Sequence, residues 1–308
     1  MHHLRLFAAV VDNGGFTKAA AALRLSQPAI SKSLTDLERT LGVSLIDRGG
    51  RTLRLTDAGK TLYARATELF GVERAAEQEV REIRGLERGV LRIGASTTIA
   101  TYLLPPVLGR FHQAHPGVRI RVTSANTRTV LRMLVRFQVD VALVEGPVSH
   151  ERVHVHDWRE DELVVIAHPD HELFATTDLD VSLLRDQRFL VREPGSGTRD
   201  VTERALAEHG VRLTNTMRVG GTEAIKQAVA AGLGLAIVSR AAAEDQLVLG
   251  KIAVLPVSGL TMRRRLTRLT LQGRSSSAAA SELEAMLDDR RIEGEEATAS
   301  RNSGAPAP

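Results

Sequence analysis

His150-Glu151-Arg152-Val153-His154 matches H-E-x-x-H, a spacing that on a helix puts two zinc ligands on one face with a general base between them. Here the string follows Gly146-Pro147 and runs into Val153-His154-Val155-His156, an alternating strand pattern. On a strand, residues four apart are separated by roughly 13 Å, whereas zinc–nitrogen bonds are only about 2.0–2.1 Å. One ion cannot bridge that gap, so exposed strand histidines are expected in place of a metal hydrolase built on His150, Glu151 and His154. Gly59-Lys60-Thr61 imitates the end of a phosphate-binding loop, but the first glycine of that loop would fall at Arg54. Gly195-Ser196-Gly197 lacks the G-x-S-x-G spacing of a nucleophile elbow. Gly232-Leu233-Gly234 would need a glycine where Ile237 stands to make a dinucleotide fingerprint. None of these strings completes a catalytic constellation, which predicts a protein that is not an enzyme and carries neither metal nor cofactor.

Two other turns offer binding chemistry. Gly94-Ala95-Ser96-Thr97-Thr98 and Arg192-Glu193-Pro194-Gly195-Ser196-Gly197-Thr198-Arg199 each stand between a strand pattern and a helix pattern. Hydroxyls and free N–H groups at a helix start hold anions, and an arginine adds charge and a bidentate fork. Simple N-capping serves either turn equally well when it is taken alone. Asn126-Thr127, Glu145-Gly146-Pro147 and Gly220-Gly221-Thr222-Glu223 fall at equivalent strand ends, and Gly221-Thr222 looks most like a third helix-start hydroxyl. Glu145 is an awkward neighbour for an anion and is expected to orient a hydroxyl or cap structure. The expected ligand-binding residues are therefore Ser96, Thr98, Thr127, Ser196, Thr198, Arg199 and Thr222.

The elements around these turns alternate. Val90 to Gly94 reads as a strand, Thr98 to His115 as a helix broken near Pro105-Pro106, and Val118 to Thr123 as a strand. Thr127 to Phe137 reads as a helix and Val139 to Val144 as a strand. Further on come a strand at Phe189 to Val191, a helix at Thr198 to His209 and a strand near Met217 to Val219. A helix at Glu223 to Ala231 and a strand at Leu235 to Val238 complete the series. Such alternation implies parallel sheets with crossover helices and a ligand at the carboxyl ends of the strands.

The N-terminal third reads differently. Leu4, Phe7, Ala8 and Val11 recur at helical spacing and stop at Asp12-Asn13-Gly14-Gly15. Thr17 to Leu23 is a short alanine-rich helix. Ser26-Gln27-Pro28 is an N-cap followed by a first-turn proline, and Ile30, Leu34, Leu37 and Leu41 form a buried stripe closed by Gly42. This is a helix-turn-helix pattern, although an ordinary helical bundle fits it too. Gln27, Ser31, Lys32 and Thr35 lie off the stripe and suit a major groove, where glutamine pairs with adenine and lysine neutralises phosphate. Val43 to Ile46 and Thr52 to Thr56 flank Arg48-Gly49-Gly50-Arg51 as a hairpin with a basic tip, able to set arginine on a phosphate or in a narrow minor groove. From Ala58 to about Arg88, Leu62, Ala66, Leu69, Val72, Ala76, Val80, Ile83 and Leu86 make one long amphipathic helix, suited to self-association or to packing on its own domain.

The order Phe16-Thr17-Lys18-Ala19-Ala20, Leu23, Ser26-Gln27-Pro28-Ala29-Ile30-Ser31, Leu37-Glu38, Leu41-Gly42, Leu45, Arg48 and Leu55-Thr56-Asp57-Ala58-Gly59 resembles the winged helix-turn-helix of LysR-type transcriptional regulators. The resemblance implies that Gln27, Pro28, Ser31 and Lys32 face DNA, with Arg48 and Arg51 at the wing, and that the long helix is a dimer linker. Gly15 stands where the family usually has serine, and Ile46 where it usually has phenylalanine. The fold class implied is α/β: a winged helix-turn-helix over 1–59, a linker helix over 60–88 and a periplasmic-binding-protein-like effector domain over 89–292. Its two subdomains are expected at 90–165 plus 257–292 and at 166–256, with a disordered tail at 293–308. One hydroxyl turn then falls in each subdomain, facing the other across a cleft, which points to a small anionic effector. Arg192 to Arg199 and Gly221 to Gly234 resemble the LysR branch that regulates carbon fixation and sulfur assimilation, implying an oxyanion or phosphorylated metabolite. The partners implied are double-stranded DNA, the effector, copies of the same chain as a dimer or dimer of dimers, and RNA polymerase.

Composition agrees with this reading. The chain has 308 residues, 43% of them apolar and none of them cysteine, which excludes disulfides and thiolate chemistry. Residues 1–60 hold nine Lys/Arg against five Asp/Glu, the densest positive surplus in the chain. Ala228 to Val238, 11 residues with two glycines, is the longest mostly apolar run and is shorter than the ~20 residues of a membrane span. Met1-His2-His3-Leu4 opens without a basic segment and apolar core, so no signal peptide, no membrane contact and a cytoplasmic location are expected.

Overall fold

The structure, a computed structural model, describes residues 1–47, 53–82, 89–274 and 276–288. Its first compact unit is Met1–Val80 with Arg136–Gln138, and its second is Arg81–Val135 with Val139–Pro308. No helix among the described residues is long and apolar enough to cross a membrane.

In the first unit, α1 (His2–Asp12), α2 (Phe16–Leu23) and α3 (Gln27–Leu41) precede a small antiparallel hairpin, β1 (Ile46–Asp47) with β2 (Arg54–Leu55), and then α4 (Asp57–Glu82). The core joins Leu6, Phe7 and Val10 of α1, Ala19 and Ala20 of α2, Ile30 and Leu34 of α3, and Leu45 and Ile46. Each large side chain removed from water there contributes about 1.5–3 kcal/mol. Ala19 and Ala20, both almost fully buried, let α2 approach its neighbours closely. Ile46, where the family usually has phenylalanine, fills its place in the core at 5% exposure. Gly15 sits at φ +154° before α2, which has no side-chain cap, so glycine meets a backbone requirement that serine would not.

Two apolar stripes are less buried than their spacing suggests. Leu41 lies at the end of α3 and is exposed, because the helix there has run past the core. On α4, Ala66 and Phe70 pack with Ala8 of α1, whereas Leu69, Val72 and Val80 are exposed. Arg5 of α1 lies 4.6 Å over the Phe70 ring and pairs with Glu73, and Tyr63 donates to Asp12, fixing α4 on α1. Burial and the Asp12 hydrogen bond push the Tyr63 hydroxyl up to about 12.

The second unit has two cores. The first is built from β3 (Gly89–Ser96), a π-helical turn (Ile99–Leu103), α5 (Pro105–Ala114), β4 (Val118–Ala125), β5 (Val141–Glu145) and α10 (Ala278–Asp288), with α6 (Thr127–Val135) packed on β3 and β5. The second gathers β7 (Arg188–Val191), α7 (Gly197–Glu208), β8 (Asn215–Arg218), α8 (Thr222–Ala230), β9 (Ala236–Ser239), α9 (Arg240–Val248) and β10 (Ala253–Val254). Two long strands, β6 (Val153–Ala167) and β11 (Met262–Leu271), belong to both.

Strand–helix alternation predicted parallel sheets, and the larger sheet is mixed instead. Its order is β10-β6-β11-β5-β3-β4, with β9 also on β6. The β3–β4, β3–β5 and β7–β8 pairs are parallel, but every pair made by β6 or β11 is antiparallel. The alternating runs cover 90–144 and 189–238, whereas β6 and β11 lie outside them and link the two cores. On β11 the buried Arg264 pairs with Asp161 of β6 at 2.7 Å, while Arg263 and Arg265 on either side stay exposed and pair with Glu160 and Asp157 of the same strand.

Candidate functional site

Helix α3 begins with Ser26, whose Oγ accepts the Ala29 N–H at 3.3 Å, and Pro28 occupies the first turn. This start leaves Gln27, Pro28, Lys32 and Thr35 exposed and Ser31 half-buried, along one side of a helix whose opposite side holds Ile30 and Leu34. Arg48 and Arg51 lie outside the described residues. The base of their hairpin is fixed: Thr56 donates its N–H to Leu45 O at 3.1 Å and its hydroxyl to Ser44 O at 2.7 Å.

In the second unit, three of the seven expected effector residues converge on one acid. Glu145, 2% exposed at the end of β5, accepts hydrogen bonds from the hydroxyls of Ser96 and of Thr198, the latter at 3.3 Å. The Thr127 hydroxyl donates to the Glu145 carbonyl at 2.9 Å. Arg264 donates to Thr198 Oγ1 at 2.8 Å, lies 3.8 Å from the Glu145 carboxylate and is bound to Asp161 at 2.7 Å. Ser239 donates to the other Asp161 oxygen at 2.7 Å. The helix start at Gly197 presses on this acid so closely that a Cβ there would lie 1.9 Å from the Glu145 carbonyl oxygen, which only glycine avoids. The expectation that Glu145 orients hydroxyls matches this geometry, and Ser96, Thr127 and Thr198 each already have a protein partner.

A second cluster is centred on a cation. Arg192, 5% exposed, donates from Nη1 to Thr222 Oγ1 at 3.1 Å and from Nη2 to Thr97 Oγ1 at 3.3 Å. Its Nε and Nη2 also hold Glu193 at 2.9 Å each. Burial raises the Glu193 carboxyl, and the Arg192 hydrogen bonds and charge outweigh that, holding it below its ordinary 4.5. The Ser196 hydroxyl, 1% exposed, has no hydrogen-bond partner among the described residues. Arg199 turns away: its guanidinium bonds Glu203 at 2.7 Å and the Arg192 carbonyl at 3.1 Å. Thr98 is buried at the start of the π-helical turn.

Contacts on both flanks join the two cores. The Arg128 N–H donates to Gly195 O at 3.2 Å. On the other flank, the Tyr102 hydroxyl donates to Glu223 at 2.7 Å. Buried Lys226 pairs with that glutamate at 2.9 Å, donates to Ala242 O at 2.6 Å and lies 4.7 Å over the Tyr102 ring. Burial and then the Glu223 bond raise the Tyr102 hydroxyl, and the Tyr102 bond is the main cause that lowers Glu223.

Sequence reasoning missed Arg192 and Thr97 as site residues, although both stand inside the quoted turns. The signal was present in Arg192 itself, an arginine directly after an apolar strand. At the zinc-like string, the His150 Nδ1 accepts the Arg152 N–H at 3.1 Å, and His154 lies on β6. Among the described residues, no group of three or more His, Cys, Asp or Glu could hold a metal ion.

Known proteins match both units. Residues 1–60 match the model of the bacterial regulatory helix-turn-helix proteins of the lysR family, and residues 84–291 match the LysR substrate binding domain. The Escherichia coli K12 regulator YeiE is 38% identical over 269 residues, covering 87% of this chain and 90% of YeiE. The RuBisCO operon transcriptional regulator of Acidithiobacillus ferrooxidans is 36% identical over 265 residues, covering 86% and 85%. The regulatory domain of CcmR from Synechocystis, solved in complex with 2-PG, is 27% identical with a TM-score of 0.61, covering 65% of this chain and 96% of that domain. With a LysR helix-turn-helix before a LysR substrate-binding domain, the chain belongs to the LysR family of DNA-binding transcriptional regulators.

Proposed function

We propose that α3 reads operator DNA in the major groove through Gln27, Pro28, Ser31 and Lys32, with Arg48 and Arg51 on the backbone or in the minor groove. A small anion is held at the strand ends between 90–165 plus 257–292 and 166–256, and it shifts the equilibrium between two arrangements of these subdomains. Arg192 supplies the charge, and Thr97, Ser196 and Thr222 supply hydroxyls. Ser96, Thr98, Thr127 and Thr198 shape the floor around Glu145, and Arg199 holds the loop. The observation that carries this reading is the buried Arg192 guanidinium beside two threonines and the unpartnered Ser196 hydroxyl. The anion bound by CcmR supports the ligand class.

The exposed Leu69, Val72 and Val80 of α4 suit pairing with the same helix of a second copy, and two such pairs make a tetramer. A dimer reads two half-sites one or more helical turns apart, and RNA polymerase is its further partner on the promoter.

Two experiments test the proposal. A shift assay across a salt series gives specific binding that weakens steeply with salt; no binding to any promoter-like duplex sinks the DNA reading. Calorimetry with inorganic phosphate and 2-PG gives binding that Arg192→Met removes. Equal binding by that variant rejects the anion site.

A further inference from the structure

We infer that Glu38 is a positioning residue for DNA binding, which sets the hairpin against the reading helix. Glu38 lies in the last turn of α3, where a negative charge opposes the helix dipole. Sequence rules favour a basic residue there, and Arg39 is its basic neighbour. The misplaced charge has specific compensation. Its Oε1 accepts the N–H of Leu45 at 2.8 Å and of Ile46 at 3.3 Å, the residues that lead into and open β1. The Glu38 backbone carbonyl meanwhile accepts the Val43 N–H at 3.2 Å, closing the helix beyond Gly42. One residue therefore binds three successive points of the chain between α3 and the hairpin.

Leu45 and Ile46 also sit in the core, and Thr56 bonds Leu45 and Ser44. None of these ties β1 to the body of α3 by a hydrogen bond. Glu38 does, from the helix that carries Gln27 and Lys32 on its exposed side. The start of β1 is thus set against the base-reading helix by the Glu38 carboxylate. The inference rests on the reading that the hairpin meets DNA, and the test separates the two.

The test uses the full-length chain on a duplex that it selects from a random pool, with a scrambled duplex beside it, across a salt series. Glu38→Ala is expected to weaken the selected duplex at least about 10-fold and to reduce the salt slope by about one to two, the loss of one or two phosphate contacts. The ratio of selected to scrambled binding, set by Gln27, stays within about 3-fold of wild type. Glu38→Gln keeps an oxygen that accepts both N–H groups and keeps the wild-type slope. Glu38→Asp is one methylene short and behaves like Ala; this pair decides the outcome where Glu38→Ala does not fold. Arg51→Ala lowers the slope by about one on its own, and Glu38→Ala adds little in that background. A wild-type slope for Glu38→Ala and Glu38→Asp, or a Gln variant as damaged as Ala, overturns the inference. If Arg51→Ala lowers the slope while the Glu38 variants do not, the inference alone fails. If Arg51→Ala also leaves the slope unchanged, the hairpin reading fails with it.

Discussion

Two hydroxyl-lined clusters stand at strand ends of the effector domain, one centred on Glu145 and the other on Arg192. Both draw on the same kind of sequence, glycine and hydroxyl residues before a helix. Around Glu145 the hydroxyls of Ser96 and Thr198 donate inward, and Arg264 and Asp161 complete the charge pairing. Around Arg192 the guanidinium donates outward to Thr97 and Thr222, and Glu193 opposes its charge. The central charge decides what each cluster does. An acid collects donors, as Glu145 does, whereas a cation collects acceptors, and the anion site proposed above rests on that difference.

The comparison breaks or sharpens under six substitutions. Glu145→Ala leaves Arg264 with one carboxylate fewer and two buried hydroxyls without their acceptor; a loss of about 3–5 kcal/mol in chemical unfolding is expected. A loss under 1 kcal/mol removes Glu145 from the structural side. Arg192→Met should cost about 2–3 kcal/mol of anion binding by calorimetry, with a smaller change in stability. If stability falls by more than binding does, the two clusters are alike. Ser96→Ala and Thr198→Ala each remove a buried donor to an acid and should cost about 1–2 kcal/mol of stability. They should leave anion affinity nearer to wild type than Thr222→Val does. Ser196→Ala removes a hydroxyl with no hydrogen-bond partner among the described residues, so its stability in chemical unfolding should stay within about 0.5 kcal/mol of wild type while anion affinity drops.

Acid adds a further handle on the Arg192 side. The Glu193 carboxyl is held below its ordinary 4.5, so the stability it contributes is fully present above that value. It is lost as pH falls through the lower folded value. Glu193→Gln should therefore flatten the acid limb of a pH–stability curve below about pH 4.5. An unchanged limb would show that the pairing with Arg192 carries no net charge coupling.

Much of this was legible in the chain because its signals are local. Ser26, Pro28, Ile30, Leu34 and Gly42 mark a capped helix within seventeen residues, and the structure has that helix. The turns at Ser96, Ser196 and Thr222 were also visible, since each follows an apolar run. What escaped depends on partners distant in sequence. The burial of Arg264 depends on Asp161, about a hundred residues earlier in the chain, although its neighbours Arg263 and Arg265 stay exposed. The burial of Arg192 likewise depends on Thr97 and Thr222, one on each side of it in sequence. Arg199, the more obvious arginine beside Thr198, was drawn off by Glu203 one helical turn away.

The two long strands also govern how the effector domain comes apart. β11 places Met262 in one core and Leu266 in the other, and β6 adds Leu163 and Val165 beside Met262. Four residues of strand span roughly 13 Å, so neither core can melt without pulling on the strand that feeds the other. The domain should therefore unfold in one cooperative step despite its two cores. Its most slowly exchanging amides should cluster at 161–166 and 262–269, where the strands run from one core into the next.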